Sequence, residues 1–211
     1  MGVIERKERE KGERRNHILD SARKVLIEKG YNNASIIDIS KRAEISVGTI
    51  YRYFKNKEEI FNVINRDGIE TLYNRIMEAI PADATPRDQL MSIGNSYFAF
   101  SEENVTFFET FSYFITFPDV IFEAEHRISQ GTYGMRILNK VVVIIEEGIK
   151  KGIFRDVNAQ KYAILMWSTL HGILQVKKVC DLLSSDYNFN EFYRFNLQYL
   201  IDSLIQFGNN Q

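Results

Sequence analysis

Residues 46–61 read SVGTIYRYFKNKEEIF. Ser46 is placed to cap a short helix, and Gly48 sits near its start. Aromatic and basic side chains alternate toward its end: Tyr51, Arg52, Tyr53, Phe54, Lys55. Lys55 and Asn56 form a turn, and a second helix begins at once. This layout suits a helix entering a DNA groove by its N-terminal end, with tyrosines and cations meeting the phosphates beside it. Just upstream, Ser35 caps another short helix over residues 36–43, with Asp38 three residues on as its capping-box partner. Only Glu44 and Ile45 separate the two helices, the spacing of a helix-turn-helix. Ile39, Ala43, Ile45 and Ile50 supply the small apolar core that fixes their angle.

Within this motif, glycine at position 48 costs roughly 0.5–1 kcal/mol relative to alanine inside a helix. Close approach to DNA is one reason to accept that cost; the tolerance of a first turn for glycine is the other. Tyr51 and Tyr53 cannot share one helix face, so one is expected to pack partly inward, and Phe54 is expected in the core. A tyrosine hydroxyl can donate to a phosphate, and Arg52, Lys55 and Lys57 can neutralise one.

Charge supports a reading end. The chain's net charge is −1, yet residues 1–56 hold 13 Lys/Arg against 8 Asp/Glu. Residues 57–211 hold 14 against 20, so a basic head precedes an acidic body. Residues 5–15 alternate in sign. They read as a solvated extension with helical charge pairs such as Glu10 and Arg14, or as an arm that reaches an adjacent minor groove.

The remaining periodicity is helical. Nine helices are expected, over about 14–29, 36–43, 46–54, 57–80, 86–103, 105–117, 120–151, 159–183 and 190–207. Gly30 is the stop of the first, and Pro81 and Pro86 bracket a break between the fourth and fifth. Residues 141–145, VVVII, favour a strand locally but are flanked by helix formers and lack hairpin turns, so helix is kept. The fold expected is all-α, with a helix-turn-helix domain over 1–56 and a second helical domain over 57–211.

The second domain is rich in rings. Ten aromatic residues fall between Tyr97 and Phe122, and Phe107, Phe111 and Phe114 share a helix face at i, i+4 and i+7. Such a stripe is either plain core or the lining of a cavity for an apolar ligand. Trp167 and His171, one turn apart, could add a polar contact to it. Two late helices carry more apolar positions than one face holds: Ala159, Ala163, Met166, Leu170 and Leu174, then Phe192, Phe195, Tyr199, Leu200, Leu204 and Phe207. Doubly apolar helices suggest burial against a second copy of the chain.

Taken together, the first sixty residues resemble the TetR-type transcriptional regulators. Ile18-Leu19, Ala22, Gly30-Tyr31, Ile39, Ala43 and Ile45-Ser46 carry the likeness, which is closest at Gly48-Thr49-Ile50-Tyr51, Phe54 and Lys57-Glu58. The resemblance implies that Val47 and Gly48 lie at base edges. It places Thr49, Tyr51, Tyr53 and Lys57 at phosphates and Arg52 at the groove rim, with Ser35 counted among the DNA-binding residues. It also implies a homodimer built through a four-helix bundle, a palindromic double-stranded operator, and a small-molecule pocket in the body. The ring pattern, not the resemblance, makes Tyr97, Phe107, Phe111, Phe114, Trp167 and His171 the candidate contacts of a small hydrophobic or aromatic ligand. Repression is the family default. Two departures stand out: Glu44 occupies a turn position where the family often has glycine, and Ser40 replaces a usual alanine.

Other classes fare less well. His17, His126 and His171 are scattered without metal-ligand spacing, no carboxylate pair or phosphate loop stands out, and Cys180 lacks the context of a nucleophile. No catalytic residue, metal or cofactor is expected. No apolar run approaches the ~20 residues of a membrane span, so no membrane partner and a cytoplasmic location are expected. The remaining alternative keeps the DNA-binding head but gives the body a protein partner in place of a small molecule.

Overall fold

Paired charges carry the first helix further toward the N-terminus than its apolar spacing predicts. Arg6 bonds Glu10 at 2.8 Å and Arg9 approaches Glu13 at 3.6 Å, so helix α1 spans Val3–Asn33 and not 14–29. The computed structural model describes residues 2–116, 124–177, 179 and 188–205, with the backbone alone at 3, 4, 113–116 and 124–133. Among these residues there are nine helices and no strand. After α1 come α2 (Ile36–Arg42), α3 (Val47–Tyr51), α4 (Lys57–Ala79), α5 (Pro86–Glu103) and α6 (Val105–Thr116). They are followed by α7 (Ala124–Lys150), α8 (Ala159–Gln175) and α9 (Phe189–Asp202). Helix α3 ends at Tyr51, earlier than expected, and α8 at Gln175. Pro118, Phe122, Cys180 and Phe207 lie outside the described residues.

The chain divides into two compact units, Met1–Gly68 with Val105–Arg127 and Ile69–Asn104 with Ile128–Gln211. In the first, Ile18, Leu19, Ala22, Val25 and Leu26 of α1 meet Ile39, Ile50, Phe54, Ile60, Phe61 and Ile64 in one buried cluster. Helix α1 breaks at Gly30, whose φ of 70° lies in the left-handed region that glycine enters without strain, as its reading as a stop requires. Helix α6 packs on α1 in this unit.

In the second unit, α9 lies against α5 and α8. Gly94 permits the close approach of α5, since a Cβ there would come within 2.3 Å of Leu197. The buried Tyr193 hydroxyl then donates to the Gly94 carbonyl at 2.9 Å, and the Tyr162 hydroxyl to that of Leu200 at 2.6 Å. The VVVII run is helical, inside α7: Val141, Ile144 and Ile145 are buried at helical spacing while Val143 faces out. Packing of that stripe outweighs local strand preference.

Candidate DNA interface and sensor residues

Local hydrogen bonds set the turn between α2 and α3. The Ser35 oxygen accepts the Asp38 N–H at 3.2 Å while the Asp38 carboxylate accepts the Ser35 N–H, a full capping box. Lys29 also reaches that carboxylate at 2.5 Å, and the hydrogen bonds from Lys29 and Ser35 hold Asp38 down at a pKa of about 2. Ser35 thus serves α2 internally, its hydroxyl donating to Asp38 at 2.6 Å. The family's glycine position in the turn shows its demand here: Glu44 has φ of 51°, a left-handed conformation costly for a side chain. His17 Nε2 donates to the Ala43 carbonyl at 3.0 Å, tying α1 to the turn. Ser40 is buried, with its hydroxyl on the Ile37 carbonyl at 2.9 Å, so the substituted alanine position is satisfied within its own helix.

Helix α3 follows from its cap. Ser46 Oγ accepts the Thr49 N–H at 3.1 Å and lies 2.9 Å from the Thr49 hydroxyl. Ile50 and Phe54 turn into the head core, and the Arg15 guanidinium sits 5.0 Å over the Phe54 ring. Around Ile50, Gly48, Tyr51 and Arg52 are exposed, and Val47 and Thr49 half-buried. Tyr53 is the tyrosine that packs inward, against the head core, leaving Tyr51 54% exposed. A Cβ on Gly48 would meet nothing closer than Ser46 Oγ at 3.9 Å, so no packing within the protein requires glycine there. Lys57 points inward: its ammonium donates to the carbonyls of Tyr31 and Ala34 at 3.3 and 3.2 Å and lies 4.9 Å over the Tyr31 ring. It clamps the end of α1 to the start of α4.

The predicted sensor residues fall into two groups. Tyr97 on α5 and Trp167 and His171 on α8 come together in the second unit. The Tyr97 hydroxyl and His171 Nδ1 are hydrogen-bonded at 2.8 Å. The Trp167 and His171 rings stack at 5.7 Å, and Gln175 approaches Nε2 at 3.3 Å. Burial lowers the His171 pKa to about 4 and raises that of Tyr97, so both are neutral near pH 7. Phe107 and Phe111 stack on one another at 5.6 Å in the first unit. Phe114 lies on the α6 backbone with its side chain outside the described residues. An open cleft of about 790 Å³ in the second unit is lined by none of these six. Its wall is Met91, Asn95, Phe98 and Ala99 of α5 and Arg194 and Gln198 of α9, with Glu102 and Glu103 at one end. No residue-type pattern in the sequence marks this cleft, because it arises where two helices distant in sequence meet.

Among the described residues no group of His, Cys, Asp or Glu could hold a metal ion, and no helix is long and apolar enough to cross a membrane.

A capped helix presented outward by a two-helix core defines the DNA-binding helix-turn-helix class. Residues 18–64 match the family described as bacterial regulatory proteins, tetR family. Among curated relatives, the fatty acid metabolism regulator protein of Bacillus subtilis is 34% identical over 82 residues, 39% of this chain but only 42% of that protein. PksA of the same organism, a helix-turn-helix transcriptional regulator, is 25% identical over 173 residues, covering 79% and 82% of the two chains. Of solved structures, a tetR-family regulatory protein from Rhodococcus RHA1 superposes with a TM-score of 0.73 at 19% identity, covering 90% of this chain and 96% of that one. FadR from Bacillus subtilis, solved in complex with stearoyl-CoA, gives 0.69 at 23%, covering 89% and 97%. Residues 18–64 thus form a tetR-family DNA-binding domain, as the resemblance implies, and the chain shares the fold of that family's solved members. These relatives are regulators and not enzymes.

Proposed function

We propose that the protein is a homodimeric repressor, released from a palindromic double-stranded operator by a small hydrophobic ligand bound in its C-terminal domain. Residues 1–56 read the DNA and 57–211 sense and dimerise. The observation that carries this reading is the outward face of α3. Its core side chain, Ile50, turns inward, while Gly48, Tyr51 and Arg52 are exposed and Val47 and Thr49 half-buried beside them. In this reading Val47 and Gly48 meet base edges, Thr49, Tyr51 and Tyr53 meet phosphates, and Arg52 stands at the rim. Ser35 and Lys57 act by holding α2 and the α1–α4 junction in place.

Dimerisation is supported by a second apolar face on the last two helices. Ala163, Met166 and Leu170 of α8 fill the core, yet Ile164, Leu165 and Trp167 are exposed, and on α9 Phe195 and Tyr199 are about two-thirds exposed. Two-fold pairing through these faces would set two heads about one DNA turn, or a multiple, apart. For the ligand, Tyr97, Trp167 and His171 offer a neutral polar contact, and Phe107, Phe111 and Phe114 are candidate apolar ones. The stearoyl-CoA bound by a structural neighbour carries an apolar acyl chain of this kind on a polyanionic head, and it is the first compound to test.

Titrating stearoyl-CoA into a protein–operator complex should weaken DNA binding some 5–150-fold, the range of a coupling of roughly 1–3 kcal/mol. Trp167, the one tryptophan of the chain, reports binding through its emission. Saturation of that signal by a hydrophobic ligand with operator affinity unchanged would sink the release mechanism.

A further inference from the structure

The N-terminal segment of α1 extends past the head as a helix. The buried positions of α1 begin at Ile18, whereas residues 5–14 are all exposed. Residues 3–14 therefore form a spur about 18 Å long at 1.5 Å per residue. Its charges are sorted by face. Arg6 and Arg9 are held by Glu10 and Glu13. Lys7, Lys11 and Arg14 have no ion-pair partner among the described residues. They fall at i, i+4 and i+7, within about 60° of one another around the helix axis.

That azimuth is the decisive point. The only non-helical residue inside α1 is Gly30, so the helix is unbroken from the spur into the head. Ile18, Ala22 and Val25, which enter the head core, lie on the same side of the helix as the three cations. The basic stripe is thus the N-terminal continuation of the face that packs against the helix-turn-helix. At its root the spur passes that motif directly: Arg15 covers Phe54 just beyond α3, and His17 bonds Ala43 in the turn before it.

We infer that Lys7, Lys11 and Arg14 form a second DNA contact, a helical spur that grips the phosphate backbone flanking the half-site read by α3. The inference rests on the DNA-reading function of the head and adds a phosphate contact outside the helix-turn-helix. Double-stranded DNA presents one negative charge per ~1.7 Å of axis, so the spur faces a dense row of phosphates matched in sign to its stripe. The contact carries no sequence information; it adds affinity and lengthens the protected site.

The test uses the full chain and a duplex that the wild-type protein selects from a random pool. Affinity is measured between about 50 and 200 mM salt for wild type, for the triple variant Lys7→Gln, Lys11→Gln, Arg14→Gln, and for a control on the opposite face, Arg6→Gln, Arg9→Gln, Lys24→Gln. All six positions are exposed cations outside the core, and circular dichroism checks that each variant stays helical. The slope of log affinity against log salt should become shallower by about 1 per cation removed from the stripe, with base preference unchanged. The control should keep the wild-type slope. Equal slopes for wild type and stripe variant, or equal losses in stripe and control, overturn the inference while leaving the DNA-reading function intact. A change in base preference would also overturn it, by placing these side chains on base edges. If the wild-type protein selects no duplex, the reading function falls and the spur contact with it.

Discussion

The head and the C-terminal body are both helical, yet they differ in how their residues are used. In the head, short elements are fixed by local devices: the Ser35–Asp38 box, the Ser46 cap, and the left-handed Glu44. Each lies within a few residues of what it controls, so side chains on the outer face of α3 are presented by sequence-local rules. In the body, the important contacts join residues far apart in the chain, such as Tyr97 with His171 and Tyr193 with Gly94. The face of α3 is thus set by neighbours in sequence, whereas the packing of the body depends on contacts between distant segments.

The sharpest way to break this comparison is to empty the head core. Ile50→Ala removes a fully buried side chain and should cost about 2–5 kcal/mol, with loss of the folded head in thermal unfolding. In the body, Tyr97→Phe removes the hydroxyl that bonds buried His171, on which Trp167 stacks, so it should cost roughly 1–3 kcal/mol and shift the tryptophan emission. If Tyr97→Phe leaves stability and emission unchanged, the network does not hold α5 to α8. Gly48→Ala separates function from fold within the head. Stability should hold or rise slightly, because nothing in the protein crowds that position, while operator affinity falls about tenfold, roughly 1.4 kcal/mol. The smallest effect is Glu44→Gly, which relieves the left-handed strain and should raise stability by about 0.5–1 kcal/mol in denaturant titration.

Acid should also tell the two regions apart. The folded pKa of His171, about 4, lies below its ordinary value of 6.5. The unfolded chain therefore binds more protons than the folded one between those values, and stability falls as pH drops from about 6.5 toward 4. His171→Gln should remove that slope from the unfolding midpoint read by Trp167. Asp38 acts in the head at lower pH: its folded pKa of about 2 lies below the ordinary 3.8, so its contribution is present above 3.8 and is lost as pH falls toward 2.

Much of the head was legible from its residues, and less of the body. Ser35, Ser46, Ile50 and Phe54 stand where their types predict, because caps and a two-helix core follow from spacing alone. Lys57 was not: its cation looks outward in sequence, and only the fold shows it clasping Tyr31 and Ala34. The spur was missed as part of α1 since residues 3–14 have no apolar period, and its helix rests on charge pairing. In the body the stripe of Phe107 and Phe111 was readable as one face. What that face meets was not: Phe107 lies against Gly68, where a Cβ would come within 2.2 Å of its ring, a contact no local pattern encodes. The cleft beside Arg194 was invisible for the same reason.

The most direct test of a dimeric reader is selection of bound duplexes from a random pool by the full-length protein. The account predicts an enriched palindrome whose half-site centres lie about 10 base pairs or a multiple apart, with Val47 substitutions changing the preferred bases and Tyr53→Phe weakening all sequences alike. Enrichment of a single asymmetric site, or of no sequence at all, would contradict it.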